Sequence, residues 1–121
     1  MANAVSQFRV VLVTAPDAAT AEAIASGLVE QKLAACVNII TGITSIYRWE
    51  GKLHKDAEFL LAIKTRVGLL NELTQLVKTK HTAKVPEIIS LPITEGSQYY
   101  MDWLAANTLF TRKEESINLP L

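Results

Sequence analysis

Two long runs of alternating residues, folded back on each other, constrain this chain more than any other stretch. From Val37 to Trp49 the odd positions carry Val37, Ile39, Ile43, Tyr47 and Trp49. The even positions carry Asn38, Gly42, Thr44 and Arg48, with Ile40 and Ile46 out of phase. After Glu50-Gly51-Lys52 the alternation resumes, with Leu53, Ala57, Phe59, Leu61 and Ile63 on one side and His54, Asp56, Glu58 and Lys64 on the other. Period-two patterning on both flanks of a short glycine-containing turn predicts a β-hairpin over residues 36–65. Each arm of roughly 12 residues spans on the order of 40 Å at ~3.3 Å per residue. A single compact domain of this length has a radius of gyration near ~14 Å, hence a diameter of roughly 35 Å. The hairpin therefore outruns its own core. An apolar arm projecting past its domain exposes backbone and aromatic surface that a partner's sheet is expected to cover. The chain is expected to be an obligate oligomer whose function sits where subunits meet.

The 121 residues suffice for one domain with a real core, and half of them are apolar. Twelve Lys and Arg balance twelve Asp and Glu, so no global field draws the chain to nucleic acid or to an anionic membrane. The single cysteine, Cys36, has no internal disulfide partner, which favours a reducing compartment. No basic N-terminal region precedes a long apolar run, and no apolar stretch approaches a membrane span. A cytoplasmic protein is expected, with neither nucleic acid nor membrane as partner.

Phe8-Arg9-Val10-Val11-Leu12-Val13-Thr14 is β-branched and apolar on both sides, as a central strand should be. Ala15-Pro16-Asp17 stops it, and Asp17 is a good N-cap. Ala21, Ile24, Ala25, Leu28 and Val29 recur at helical spacing, predicting an amphipathic helix to about Leu33. Beyond the hairpin, Leu69, Leu70, Leu73, Leu76 and Val77 predict a second helix ending near Lys80. The run from Glu87 to Ile93 reads as a short strand, placed at a sheet edge because Pro92 lacks a ladder donor. Ser97 is read as the cap of a third helix whose buried stripe is Tyr100, Trp103 and Leu104, and residues 107–121 follow without a clear period. The order β-α-β-β-α-β plus a terminal helix predicts an α+β, ferredoxin-like split βαβ fold. Both crossover helices then cover one sheet face. The other face stays open and apolar, which again calls for a partner.

Motifs for phosphate loops, nucleophile elbows and zinc or redox sites are absent. Cys36 reads as a small buried residue or as a soft ligand that needs a nearby base or cation. His81, just past the second helix, is either a cation near a helix C-terminus or, with Glu87 six residues on, half of a Cu(II), Zn or Ni site. His54 is read as a solvated strand residue. Trp49, Tyr47 and Tyr99 suit interface anchors or a stacking surface. Glu58 and Lys64 form either an exposed pair or charges facing an intersubunit cleft.

Several segments together resemble the CutA family, named for divalent-cation tolerance. They are Thr14-Ala15-Pro16-Asp17, Lys32-Leu33-Ala34-Ala35-Cys36-Val37-Asn38, Ser45-Ile46-Tyr47-Arg48-Trp49-Glu50-Gly51-Lys52, Lys64-Thr65 and Val85-Pro86-Glu87-Ile88-Ile89. The resemblance covers residues 8–107 of one domain and leaves 108–121 as a tail. It implies a ferredoxin-like fold assembled as a homotrimer, similar in architecture to the PII signalling proteins. For some bacterial members it also implies a copper site, built from a Cys on the first strand, a His ending the second helix and a Glu on the last strand. Here those positions fall on Val13, on Lys80 beside His81, and on Glu87, and the family's His-Pro-Tyr is replaced by His81-Thr82-Ala83.

Two functions follow. One is a trimeric, PII-like binding or signalling module with a small ligand in intersubunit clefts, drawn from Cys36, Trp49, Glu58, Lys64, His81, Glu87, Tyr99 and Trp103. The other is a metal-tolerance protein binding Cu(II) or another divalent ion through His81 and Glu87. An enzyme using His81 or Lys64 as acid–base group ranks last, because no nucleophile–base pairing can be read from the sequence.

Overall fold

The computed structural model describes residues 7–109. In chain order the elements are β1 (Phe8–Ala15), α1 (Ala18–Glu30), β2 (Cys36–Trp49), β3 (Lys52–Arg66), a 3-10 turn (Val67–Leu69), α2 (Leu70–Lys80), β4 (Ile88–Pro92) and α3 (Gln98–Ala106). Asp17 does cap α1, its carboxylate accepting from the Thr20 N–H at 2.7 Å, and that bond above all holds its pKa below the ordinary value. Ser97 Oγ likewise accepts from the Tyr100 N–H at 3.3 Å to start α3.

The four strands form one sheet in the order β2-β3-β1-β4, every neighbouring pair antiparallel. This is the ferredoxin-like arrangement expected from the element order. β1 lies in the interior and β4, with Pro92, at an edge. Odd-numbered Val11, Val13, Ala15, Leu61 and Ile63 are fully buried and pack with Ile24 and Leu28 of α1 and Leu73 and Val77 of α2 into one core. Thr65, also on that side, donates from Oγ1 to the Leu33 carbonyl at 2.6 Å and pins the chain where α1 turns into β2.

The hairpin departs from simple alternation at one point. Pairing runs unbroken from Cys36↔Lys64 to Ile40↔Leu60 and resumes at Ile43↔Glu58, so Thr41 and Gly42 together oppose Phe59. Gly42 sits at φ 77°, in the left-handed region. One extra residue reverses the facing of every side chain beyond it. Val37 and Ile39 oppose Ile63 and Leu61 and face the helices. Ile43, Tyr47 and Trp49 oppose Glu58, His54 and Lys52 and face the other way. The single apolar side expected over residues 37–49 is thereby corrected to two half-sides that meet at a bulge. Ile46 ceases to be an exception, because it continues the row of Val37 and Ile39, although 64 % exposed. The turn itself is two residues, Glu50 and Gly51, both at positive φ of 49° and 77°, the mirror-image geometry that suits the twist of a hairpin.

Pairing between β1 and β3 ends at Ala15↔Phe59. Beyond it, Lys52–Glu58 of β3 pair only with β2, a ribbon of about 20 Å at ~3.3 Å per residue. The hairpin does overreach its sheet. The even-numbered sheet face is also apolar and incompletely covered. Val10, Leu12, Leu60 and Ala62 are half-buried, while Ile40, Ile89 and Leu91 on the same face are exposed.

Helix α3 covers one end of that face. Arg66, 4 % exposed, donates from Nε to Thr108 Oγ1 and from Nη2 to the Ala105 carbonyl, each at 2.7 Å, and its guanidinium lies 5.3 Å from the centroid of the Phe8 ring. Of the stripe expected to be buried on α3, Leu104 is; Tyr100 and Trp103 are corrected to exposed, with ring centroids 5.5 Å apart. The helix meets only one end of a sheet face, so a single row of its side chains is enclosed. Thr108 is buried as well, so the packed chain runs past residue 107; the rest of the expected tail, 110–121, lies outside the described residues.

A Cβ at position 42 would meet nothing within 4 Å, so Gly42→Ala should act through the backbone alone. A loss of about 1 kcal/mol is expected in urea denaturation, the cost of holding an L-residue in left-handed conformation. An unchanged midpoint would mean that the bulge relaxes without cost.

Candidate functional site

Where the hairpin runs on past the end of β1, a notch opens, and the segment from His81 to Glu87 crosses it on the way to β4. Between them lies a cavity of about 710 Å³. Thr14 lies at the end of β1, Tyr47, Trp49 and Glu58 come from the hairpin arms, Glu50 from its turn, and His81, Lys84 and Glu87 from the connecting segment.

His81 fixes one wall. Its backbone N–H closes α2 on the Val77 carbonyl at 2.9 Å. Its ring Nδ1 accepts from the Ala83 N–H at 2.9 Å, and Nε2 lies 2.7 Å from the Thr14 carbonyl oxygen. A carbonyl only accepts and a backbone N–H only donates, so the partners assign the neutral ring with its proton on Nε2. Both nitrogens are thus committed to the backbone. Among the described residues, no three His, Cys, Asp or Glu side chains come together as a group that could hold a metal ion.

The hairpin wall is fixed by its own cross-strand contacts. Tyr47 pairs with His54, the rings stacked at 5.2 Å and 12°, and the Tyr47 hydroxyl donates to Asp56. That bond, followed by desolvation and the charges of Asp56 and Glu58, raises the phenol above its ordinary pKa.

The eight residues singled out from the sequence fall into two groups. Trp49, Glu58, His81 and Glu87 line the cavity together. The other four do not line it. Cys36 and Lys64 are cross-strand partners where β2 begins and β3 approaches its end. Lys64 Nζ donates there to Asn38 Oδ1 and, at 3.5 Å, to the Ala62 carbonyl. Cys36 meets Tyr100, whose phenol is raised first by desolvation and then by the cysteine. Tyr99 is 91 % exposed, and Trp103 lies against Tyr100. The sequence reading passed over Asp56, Glu50 and Lys84. Counting back from a two-residue turn finds the first, since it sets Tyr47 opposite His54 and one diagonal step from Asp56. Glu50 and Lys84 carry no such mark, because turn and loop charges are ordinarily solvated.

Residues 9–107 match the family described as CutA1 divalent ion tolerance protein. The chain is 52 % identical over 99 residues to the divalent-cation tolerance protein CutA of Thermus thermophilus, covering 82 % of this chain and 96 % of that protein. It is also 52 % identical over 99 residues to the chloroplastic protein CutA of Arabidopsis thaliana, of which it spans 54 %. Among solved structures, CutA1 from Oryza sativa aligns with a TM-score of 0.84 at 47 % identity, over 88 % of this chain and 98 % of that one. The Thermus thermophilus structure aligns at 0.81 with 50 % identity, over 84 % and 98 %.

Alkaline titration checks the hairpin wall. The Tyr47–Asp56 bond needs the phenolic proton, so its stabilisation holds below the unfolded value of ~10 and is lost as pH rises through the higher folded value. Of the three tyrosines, Tyr47 and Tyr100 should ionise late by ultraviolet difference absorbance, and Tyr47→Phe should remove one late step. A Tyr47→Phe protein that keeps both late steps contradicts the assignment.

Proposed function

The chain belongs to the CutA1 divalent ion tolerance family, and from that premise we propose that it is a non-enzymatic binding module of the cytoplasm. It assembles as a homotrimer, takes a small ligand in clefts between subunits, and acts in signalling or in the response to metal ions. The observation that carries this is the even-numbered sheet face. Val10, Leu12, Leu60 and Ala62 stay half-buried, while Ile40, Ile89 and Leu91 are exposed. A contiguous apolar face bordered by a projecting hairpin is the surface that self-association buries. The number three comes from the family resemblance, as does the PII-like architecture.

What supports binding over catalysis is the state of His81, the one imidazole of the cavity wall, whose nitrogens are both engaged by backbone groups. No helix among the described residues is long and apolar enough to cross a membrane.

A second role is direct binding of Cu(II) or another divalent cation. It is favoured by His81 and Glu87 lining one cavity and by the divalent-cation tolerance for which the Thermus thermophilus relative is named. A ligating His81 must first give up the Ala83 N–H or the Thr14 carbonyl.

Leu91 is 45 % exposed, so Leu91→Lys leaves the core intact and should shift the sedimenting species to monomer at low micromolar concentration. Trp49→Asp should weaken assembly more than it harms the fold. An intact assembly of normal melting temperature in both variants contradicts this face as the interface, and a wild-type chain that sediments as a monomer contradicts the oligomer. Calorimetry with Cu(II) on wild type and His81→Ala tests the metal role, and equal, weak heats from the two remove His81 as a ligand.

A further inference from the structure

We propose that the cavity between hairpin and connecting segment takes an elongated organic cation, a diamine or polyamine, held by carboxylates at separated points and by the faces of Tyr47 and Trp49. The site is the one assigned above to a small ligand, and the inference rests on that assignment.

Charge sets the sign of the ligand. Glu50 reaches the cavity from the turn, Glu58 from β3 and Glu87 from the connecting segment, against the single ammonium of Lys84. His81, neutral in its hydrogen-bonded tautomer, adds nothing. The wall therefore carries a net charge of two negative. None of the three carboxylates has a hydrogen-bond or ion-pair partner among the described residues. The Tyr47 phenol, raised above all by its hydrogen bond to Asp56 and then by desolvation, takes a smaller upward push from the Asp56 and Glu58 charges. An anionic ligand would face three carboxylates to gain one ammonium.

Spacing sets the shape. The carboxylates stand on three different elements around about 710 Å³, and they do not converge as a group able to coordinate one metal ion. A divalent ion concentrates its charge at a point and satisfies one end of such a site. A chain bearing amines several bonds apart places a positive charge at each carboxylate. The volume lies within the range of small-molecule sites.

The aromatic wall selects an organic cation over a bare one. Tyr47 and Trp49 are next-but-one residues beyond the bulge and face the same way. One face of Tyr47 is stacked on His54, and as residues of the single chain Tyr47 and Trp49 are 41 % and 39 % exposed. Alkylammonium groups bind over such faces while their methylenes cover apolar ring surface. A hydrated metal ion makes no use of that wall.

Isothermal calorimetry of the full-length protein with spermidine tests the inference, with n-butylamine as the single-charge probe and magnesium chloride as the inorganic one, all at matched ionic strength. Saturable binding at one site per chain is expected, with spermidine at least roughly tenfold tighter than n-butylamine and a similar loss in Glu58→Gln and Glu87→Gln. In a Trp103→Phe background, spermidine should change the fluorescence of Trp49. Absence of saturable heat, unchanged wild-type affinity in both Gln variants, or displacement of spermidine by equimolar magnesium would each overturn it. Melting temperatures of the variants verify that they fold. Sedimentation of the same samples separates this failure from that of the site's broader assignment. An assembled protein that ignores spermidine sinks the polyamine alone, whereas a monomer that binds it sinks the intersubunit cleft alone.

Discussion

Pairing between β2 and β3 is the contact on which the rest of the molecule depends, because β3 belongs to two structures at once. Its second half, from Phe59 to Arg66, is the partner of β1 and carries Leu61, Ile63 and Thr65 into the core. Its first half has only β2 for company and forms a wall of the cavity. A strand anchored so firmly at one end holds the other in place without a second layer beneath it. Apolar burial of Leu61 and Ile63, about 1.5–3 kcal/mol each, thus fixes the position of Tyr47 and Trp49 many residues away.

The fold was largely legible, and the reason is physical. Strand and helix periods were clean wherever one face met the core, as in Val11, Val13, Leu61, Ile63, Leu73 and Val77. Caps at Asp17 and Ser97 were readable because the groups they satisfy lie within three residues. The bulge was harder. Gly42 and the out-of-phase Ile40 and Ile46 mark its neighbourhood, but a period-two template absorbs them as exceptions unless register is counted from the turn. Tyr100 and Trp103 misled for a different reason. A helical stripe shows which side of α3 is apolar, yet how much of it is covered depends on how far the helix overlaps the sheet.

The site was half legible. Trp49, Glu58, His81 and Glu87 converge because the hairpin and the connecting segment bound the same notch, and the segments of Trp49 and Glu87 stood out as family-like. Cys36, Lys64, Tyr99 and Trp103 were drawn from the same features but lie elsewhere. Residue type alone carries no information on which end of a long strand a side chain occupies. Nor could the sequence show that His81 spends both nitrogens on the backbone, since Thr14 is 67 positions away.

That double engagement has a mechanical outcome. Through one residue, by its ring and its backbone N–H, the end of β1, the close of α2 and the start of the connecting segment are stapled together, and Ile88 fastens the segment's far end against the core. One jaw of the cleft is consequently rigid with the body of the protein. The opposing jaw is a two-stranded cantilever, so any change in gape is a bending of the ribbon rather than the lifting of a flap.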